Sequence, residues 1–383
     1  MSDTAGATVL DILEDTDVCI CAGSGGVGKT TTSAAIAAGM AARGHKVAVL
    51  TIDPAKRLAD SLGLSELGNE RARVDPKLFE RAGIDPGDGE LWATMLDAKA
   101  TFDEVVIRYS EDRESSEQIL DNRIYKQISG ALAGSQEYMA MEKLYEIHES
   151  GEFDLLVLDT PPSRNALDFL DAPQRLVQFV DGRALKMFLR PTGFGAKIAG
   201  RGAATILAVL RRLTGVDLID DLSEFFNAMS GLVGGFKERA TKVEALLGAE
   251  GTKFLIVTGP ASEPISEAVY LHRKLVESEL PFGGLVVNRL HVAADGAADD
   301  EEIGTELAVA LGEDLSERVM DSYRDRRGLV ERDAANVEDL RDRIGAVPLL
   351  TIPEMADEIH DLVGLLSLQP HLFGAAAAAA PSQ

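Results

Sequence analysis

The stretch Gly23-Ser24-Gly25-Gly26-Val27-Gly28-Lys29-Thr30 meets the pattern G-x-x-x-x-G-K-[ST] at every fixed position. Ordinary residue frequencies produce such a match in roughly one chain in a hundred of this size. Glycines there let backbone N–H groups close around phosphate oxygens, and the N-terminus of a following helix adds its dipole. In that setting Lys29 neutralises the β- and γ-phosphates of a nucleotide and the Thr30 hydroxyl ligates Mg²⁺, with Thr31 next in the helix. A metal site of this kind also needs an acid on a neighbouring strand. Phe153-Asp154-Leu155-Leu156-Val157-Leu158-Asp159 supplies one. Asp159 closes an apolar run and so falls at the C-terminal tip of a strand, where ligands bind in open α/β sheets. It either holds a Mg²⁺-bound water or is a structural strand-end carboxylate. Asp53, in Thr51-Ile52-Asp53-Pro54-Ala55, either faces the γ-phosphate and orients the attacking water or caps the helix after Pro54. The stiff segment Thr160-Pro161-Pro162-Ser163 leaves its strand abruptly, as a nucleotide-sensing switch does.

The base has its own signal. Proteins that hydrolyse GTP commonly read guanine with an Asn-Lys-x-Asp run after a late strand. Here the late strand ends Val287-Asn288-Arg289-Leu290-His291, so the fourth-position carboxylate is missing. Asn288 still offers an amide to adenine, which favours ATP over GTP. Lys56 and Arg57 either reach phosphates or are solvated helix charges.

These residues need strands and helices to hold them. Val18–Ala22, the glycine cluster, an alanine-rich stretch from Thr30 to Ala42, Gly44 and then Lys46–Ile52 read as strand, loop, helix, strand. Further buried strands are expected at Leu91–Leu96, Leu155–Leu158, Phe254–Val257, Leu285–Val287 and Val347–Ile352, with helical stretches between them. That alternation predicts an α/β fold, with a doubly wound, mostly parallel sheet covered on both faces. A single P-loop domain is expected, its core over about 14–96, 151–166 and 251–372. A helical subdomain would span about 97–150 and 167–250, and 374–383 reads as a low-complexity tail. Asp295 to Asp342 reads as an acidic, solvated helical excursion.

The chain has 383 residues and a formal charge of −25. Such acidity argues against non-specific nucleic-acid binding. One reversal stands out, because Gly182–Val216 holds seven Lys or Arg residues and no acid. It reads as a solvated helical face or as a cationic lid touching a client or an anionic membrane. The stripe Leu218, Leu222, Phe225, Met229, Leu232, Phe236, Val243 and Leu247 predicts an amphipathic helix over Asp217–Leu247. Its apolar face is either helix-packing core or a groove for an apolar helix. The two cysteines, Cys19 and Cys21, suit same-face positions of one strand rather than a disulfide, and the start of the chain is acidic where a signal peptide needs positive charge. Both features predict a cytoplasmic protein. The six histidines are scattered without ligand spacing.

Taken together, these residues make the chain resemble the arsenite-pump and tail-anchored-protein-targeting ATPases, the ArsA/Get family of deviant Walker A P-loop proteins. Gly25-Gly26-Val27-Gly28-Lys29-Thr30-Thr31 is similar to the family P-loop and Thr51-Ile52-Asp53-Pro54-Ala55 to its first switch. Asp159-Thr160-Pro161-Pro162-Ser163 resembles the second switch. Asn288 and the run ending at Pro353 resemble the adenine-side strand end and loop. The resemblance implies ATP hydrolysis with Mg²⁺, Asp53 as the catalytic carboxylate and a nucleotide-sandwich dimer. Two departures qualify it. Ser24 stands where the family carries a signature lysine that crosses the dimer to the partner's phosphates, and the zinc-binding Cys-x-x-Cys of eukaryotic members is absent. Either another cation, such as Arg57 or Arg164, replaces that lysine in a homodimer, or the chain pairs with a related ATPase that retains it. A partition-type positioning ATPase and a non-catalytic nucleotide-binding scaffold are the rival readings.

Overall fold

The computed structural model describes residues 7–53, 57–65, 67–110, 112–123, 125–126, 136–161, 232–293 and 300–374. The apolar runs form β1 (Val18–Ala22), β2 (Lys46–Thr51), β3 (Ala72–Arg73), β4 (Glu90–Met95), β5 (Leu155–Asp159), β6 (Thr252–Thr258), β7 (Phe282–Leu290) and β8 (Leu349–Pro353). They make one eight-stranded sheet in the order β3-β4-β2-β5-β1-β6-β7-β8. Every pairing is parallel except that of the short edge strand β3 with β4. Only β3, two residues long, is missing from the sequence reading, because a pair of residues carries no periodic signal.

Strand residues alternate between the two faces, and the core divides accordingly. Cys19, Cys21, Val47, Val49, Val157 and Val257 face the helix Lys29–Ala41 and the C-terminal helices Leu362–Leu366 and Gln369–Phe373. Val18, Ile20, Leu50, Leu156, Leu158 and Ile256 face the other layer, which includes the helices Gln136–Glu149, Leu232–Leu247 and Ser262–Glu277. β1 lies between β5 and β6 and is buried along its whole length. The sheet therefore grows outward in both directions from β1, which puts a crevice at its C-terminal end.

Helices Ala98–Tyr109, Arg113–Asp121 and Gln136–Glu149 pack around Phe102, Val106, Ile119, Tyr125, Tyr138 and Met139. Of the expected helix over Asp217–Leu247, the described part runs Leu232–Leu247. There Val243, Leu246 and Leu247 are buried against the sheet, so this end of the stripe is packing surface. Residues 217–231, the basic stretch 182–216 and the tail from 375 onward lie outside the described residues, as do Pro54, Ala55, Lys56, Pro162, Ser163 and Arg164. Between β7 and β8 come helices Asp300–Leu311 and Glu313–Ile344. The first buries no residue and the second, 32 residues long, buries few, in keeping with the solvated excursion read from the sequence.

One buried ion pair joins the helix that precedes β5 to the helix that precedes β6. Arg239 Nε donates to both carboxylate oxygens of Glu142 at 2.9 and 3.0 Å, and Nη1 donates to Glu149 at 3.0 Å. The guanidinium stacks 3.9 Å from the Tyr145 ring centre. Burial pushes the Glu142 carboxyl above its ordinary range, against the opposing pull of Arg239. Removing one partner of such a pair leaves an uncompensated buried charge. Arg239→Met should therefore cost about 3–5 kcal/mol in urea unfolding at pH 8. The loss should be smaller at pH 5 than at pH 8, because burial raises the Glu142 pKa and eases its protonation, and Arg239→Met with Glu142→Leu should recover most of it. Equal losses at both pH values would show that packing, not charge, dominates.

Candidate functional site

The crevice at the end of β1 holds the glycine-rich loop. Gly23 has φ +155°, and a Cβ there would lie 2.0 Å from the Val257 carbonyl oxygen. Gly28, at φ +91°, ends the loop as the N-cap of helix Lys29–Ala41. A Cβ on Gly28 would lie 2.2 Å from Asn288 Nδ2, so the space of the missing side chain is filled by an amide. Lys29 is buried, and its Nζ donates to the carbonyls of Gly23 at 2.9 Å and Ser24 at 2.8 Å. The ammonium thus spans the loop it follows. Burial lowers its pKa, opposed by the charges of Asp159 and Asp53.

Register brings the acids to the loop. In the parallel pairing Asp159 stands opposite Cys21 on one side and Thr51 on the other. The Thr30 hydroxyl donates to Asp159 Oδ2 at 2.7 Å, and the Thr51 hydroxyl donates to the same oxygen at 2.9 Å. Asp159 is fully buried, and its Oδ1 has no hydrogen-bond partner among the described residues. Burial pushes its carboxyl up to about 6, although the bonds from Thr30 and Thr51 and the Lys29 charge pull it down. The Asp53 N–H donates to the Thr51 hydroxyl at 3.2 Å, which sets Asp53 just past the tip of β2. Thr160, through its N–H and its hydroxyl, donates to the Cys21 carbonyl at 3.3 and 2.8 Å and ties the exit from β5 to β1.

On the other side of the loop lies a cleft of about 700 Å³, a size suited to a nucleoside. Thr31, Asn288 and Pro353 line it, together with Arg57, Arg289 and Glu354. Asn288 Nδ2 donates to the Val27 carbonyl at 2.9 Å, so this amide is also a fastening of the loop. His291 bridges Asp333 of the long helix at 2.7 Å and Glu354 at the cleft rim at 3.2 Å. Ser24 presents no cation, and its Oγ is without a hydrogen-bond partner among the described residues.

Thr30, Asp53, Lys29 and Asp159 thus converge on one end of the crevice, and Asn288 and Pro353 on the other. Sequence reasoning did not assign the Thr51 hydroxyl, which bonds both acids' segments, nor the cleft positions of Arg289 and Glu354. A polar residue at the C-terminal tip of β2, the strand that flanks β5 on the side away from β1, was the signal available for Thr51.

The sequence model of the family described as "Anion-transporting ATPase" matches residues 16–302. The chain is 27% identical over 285 residues to the ATPase GET3C of Arabidopsis thaliana, a match covering 70% of this chain and 65% of that protein. It is 29% identical over 178 residues to the ATPase GET3 of Malassezia globosa, covering 46% of this chain and 49% of that protein. To the Putative arsenical pump-driving ATPase 1 of Aquifex aeolicus it is 24% identical over 364 residues, covering 93% and 78%. The chain therefore spans about half to two thirds of these two GET3-named relatives' lengths.

The buried carboxylate has a testable cost. A carboxyl whose pKa is raised on folding loses stability as pH climbs from its unfolded value, 3.8, through its folded value of about 6. Above that the penalty is complete, on the order of 3 kcal/mol. In the presence of a chelator and without nucleotide, Asp159→Asn should unfold at higher urea concentration than the wild type at pH 8. The gain should fade toward pH 4. A gain independent of pH would place its origin elsewhere than the charge.

Proposed function

Since the chain belongs to the anion-transporting ATPase family, we propose that it binds and hydrolyses Mg-ATP and couples nucleotide state to its helical layer. The observation that carries this reading is the Thr30–Asp159–Thr51 junction. A carboxylate fully buried beside a P-loop threonine, with one oxygen unpartnered among the described residues, matches the hard oxygen donors Mg²⁺ prefers. Thr30 and Asp159 would hold the metal, Asp159 through water. When bound, the metal neutralises charge developing on the β- and γ-phosphates.

The chain's own groups do the rest. The loop N–H groups and Lys29 cradle the phosphates. Asp53 orients the attacking water and takes its proton as the water adds to the γ-phosphorus, while the bond from that phosphorus to the β–γ bridging oxygen breaks and ADP leaves. Asn288 and Pro353 flank the base in the cleft beyond Thr31. Thr160 and Pro161 follow Asp159 directly, so a change at the γ-phosphate passes along the chain toward the helical subdomain. Arg239 links that subdomain's two described ends across Glu142 and Glu149. An apolar-helix protein is the client class we assign to the subdomain. The protein works in the cytoplasm, and among the described residues no helix is long and apolar enough to cross a membrane.

Ser24 supports a composite dimer, in which this chain contributes Asp53 and a related ATPase contributes the missing lysine. A transition-state cation of that kind is worth ~10³-fold or more in rate.

Two experiments test the reading. Asp53→Asn should bind ATP as the wild type does and lose hydrolysis in a phosphate-release assay, whereas Lys29→Ala should lose nucleotide binding itself. Wild-type hydrolysis by Asp53→Asn would remove Asp53 from the mechanism. Separately, the purified chain should hydrolyse ATP slowly alone, and Ser24→Lys should accelerate it while stabilising a homodimer in ATP. Brisk hydrolysis by an unmodified homodimer, with no gain from the lysine, would reject the composite dimer.

A further inference from the structure

A loop that binds phosphate through its N–H groups must turn its carbonyls the other way, and each carbonyl turned outward takes a donor from the protein or from water. Four such carbonyls are accounted for here. Lys29 Nζ takes those of Gly23 and Ser24, Asn288 Nδ2 takes Val27, and Arg289 Nη1 donates to Gly26 at 3.3 Å. Two consecutive residues of β7 thus hold two consecutive residues of the loop.

A regular strand cannot do this, because neighbouring side chains point to opposite faces. β7 departs from regularity at this position. Its pairing with β8 runs Val287 to Thr351 and then Leu290 to Pro353, so β7 carries one extra residue between them. Arg289 in that bulge has φ +59°, a left-handed conformation held by a non-glycine residue. The Asn288 Oδ1 accepts the Arg289 N–H at 3.0 Å and fixes the turn. Bulges beside active sites re-aim side chains, and strained backbone of this sort persists where the surroundings determine it.

We propose that Arg289 is a positioning residue for nucleotide binding: the bulge in β7 swings its guanidinium onto the Gly26 carbonyl, so that the Gly26–Gly28 N–H groups stay turned toward the phosphates. Its place on the wall of the base cleft joins the loop and the cleft into one unit. This rests on the reading of the loop as a nucleotide site.

The test compares wild type, Arg289→Gly and Arg289→Lys by titration with ADP and ATP and by thermal melting without nucleotide. Glycine accepts the positive φ without strain. Arg289→Gly should therefore melt no lower than the wild type yet bind both nucleotides about tenfold more weakly. Arg289→Lys, which keeps one donor, should fall between. Wild-type affinity in Arg289→Gly would overturn the brace and leave the nucleotide site standing. So would an affinity loss that tracks a lower melting temperature and is no smaller in Arg289→Lys. Failure of the wild type itself to bind either nucleotide would overturn both.

Discussion

The carboxylate of Asp159 is the constraint on which the site depends. It sits at the tip of a central strand, out of contact with solvent, and takes hydroxyl bonds from Thr30 of the loop and Thr51 of the next strand. Burying a charge this way opposes folding. The strand register makes it unavoidable, since a parallel pairing that aligns Cys21, Thr51 and Asp159 delivers three strand tips to one point. The sheet holds an unfavourable group in place because each of those strands is fixed by apolar residues on both faces. On the proposed function, a functional position and a destabilising position coincide here, as they do wherever a site needs a charge pre-positioned for a ligand.

Much of this arrangement is written in local sequence. The loop pattern marks its own position, and continuous apolar runs mark the buried parallel strands, because strands covered on both faces have no polar side to show. Cys19 and Cys21 fall on one face as their spacing of two requires. What local sequence does not carry is partnership across the sheet. Nothing near Thr51 says that its hydroxyl will meet Asp159, 108 positions away, and nothing near Arg289 says that the strand will bulge there. The sequence around Asn288 suggests a base contact, and the structure adds that the same amide holds the loop through Val27. The amphipathic stripe ending at Leu247 shows the converse limit. Periodicity finds the apolar face, but only the packing of Val243 and Leu246 shows what that face meets.

The two halves of the crevice are built differently. On the side of the glycine-rich loop, contacts are short and mostly between backbone and buried side chains, which suits the phosphates that the proposed function places there. On the side of the cleft the walls come from strand ends and the segment after β8, with charged groups such as Arg57 and Glu354 at the rim. His291 ties that rim to Asp333 of the long helix. The acidic helical excursion is thereby mechanically continuous with the cleft, although it buries little of its own surface.

The placement of Cys19 and Cys21 carries a consequence of another kind. They are the only thiols of the chain, and both lie fully buried in β1, at the middle of the sheet. The exposed thiolate is the form that attacks an alkylating reagent, and Cys19 is held far from that form by its contact with Cys21 and by burial. Alkylation therefore requires the central strand to separate from both neighbours, an opening equivalent to global unfolding. The folded protein carries its own chemical clock for the rupture of its core, and any cysteine introduced at the surface would be labelled against a silent background.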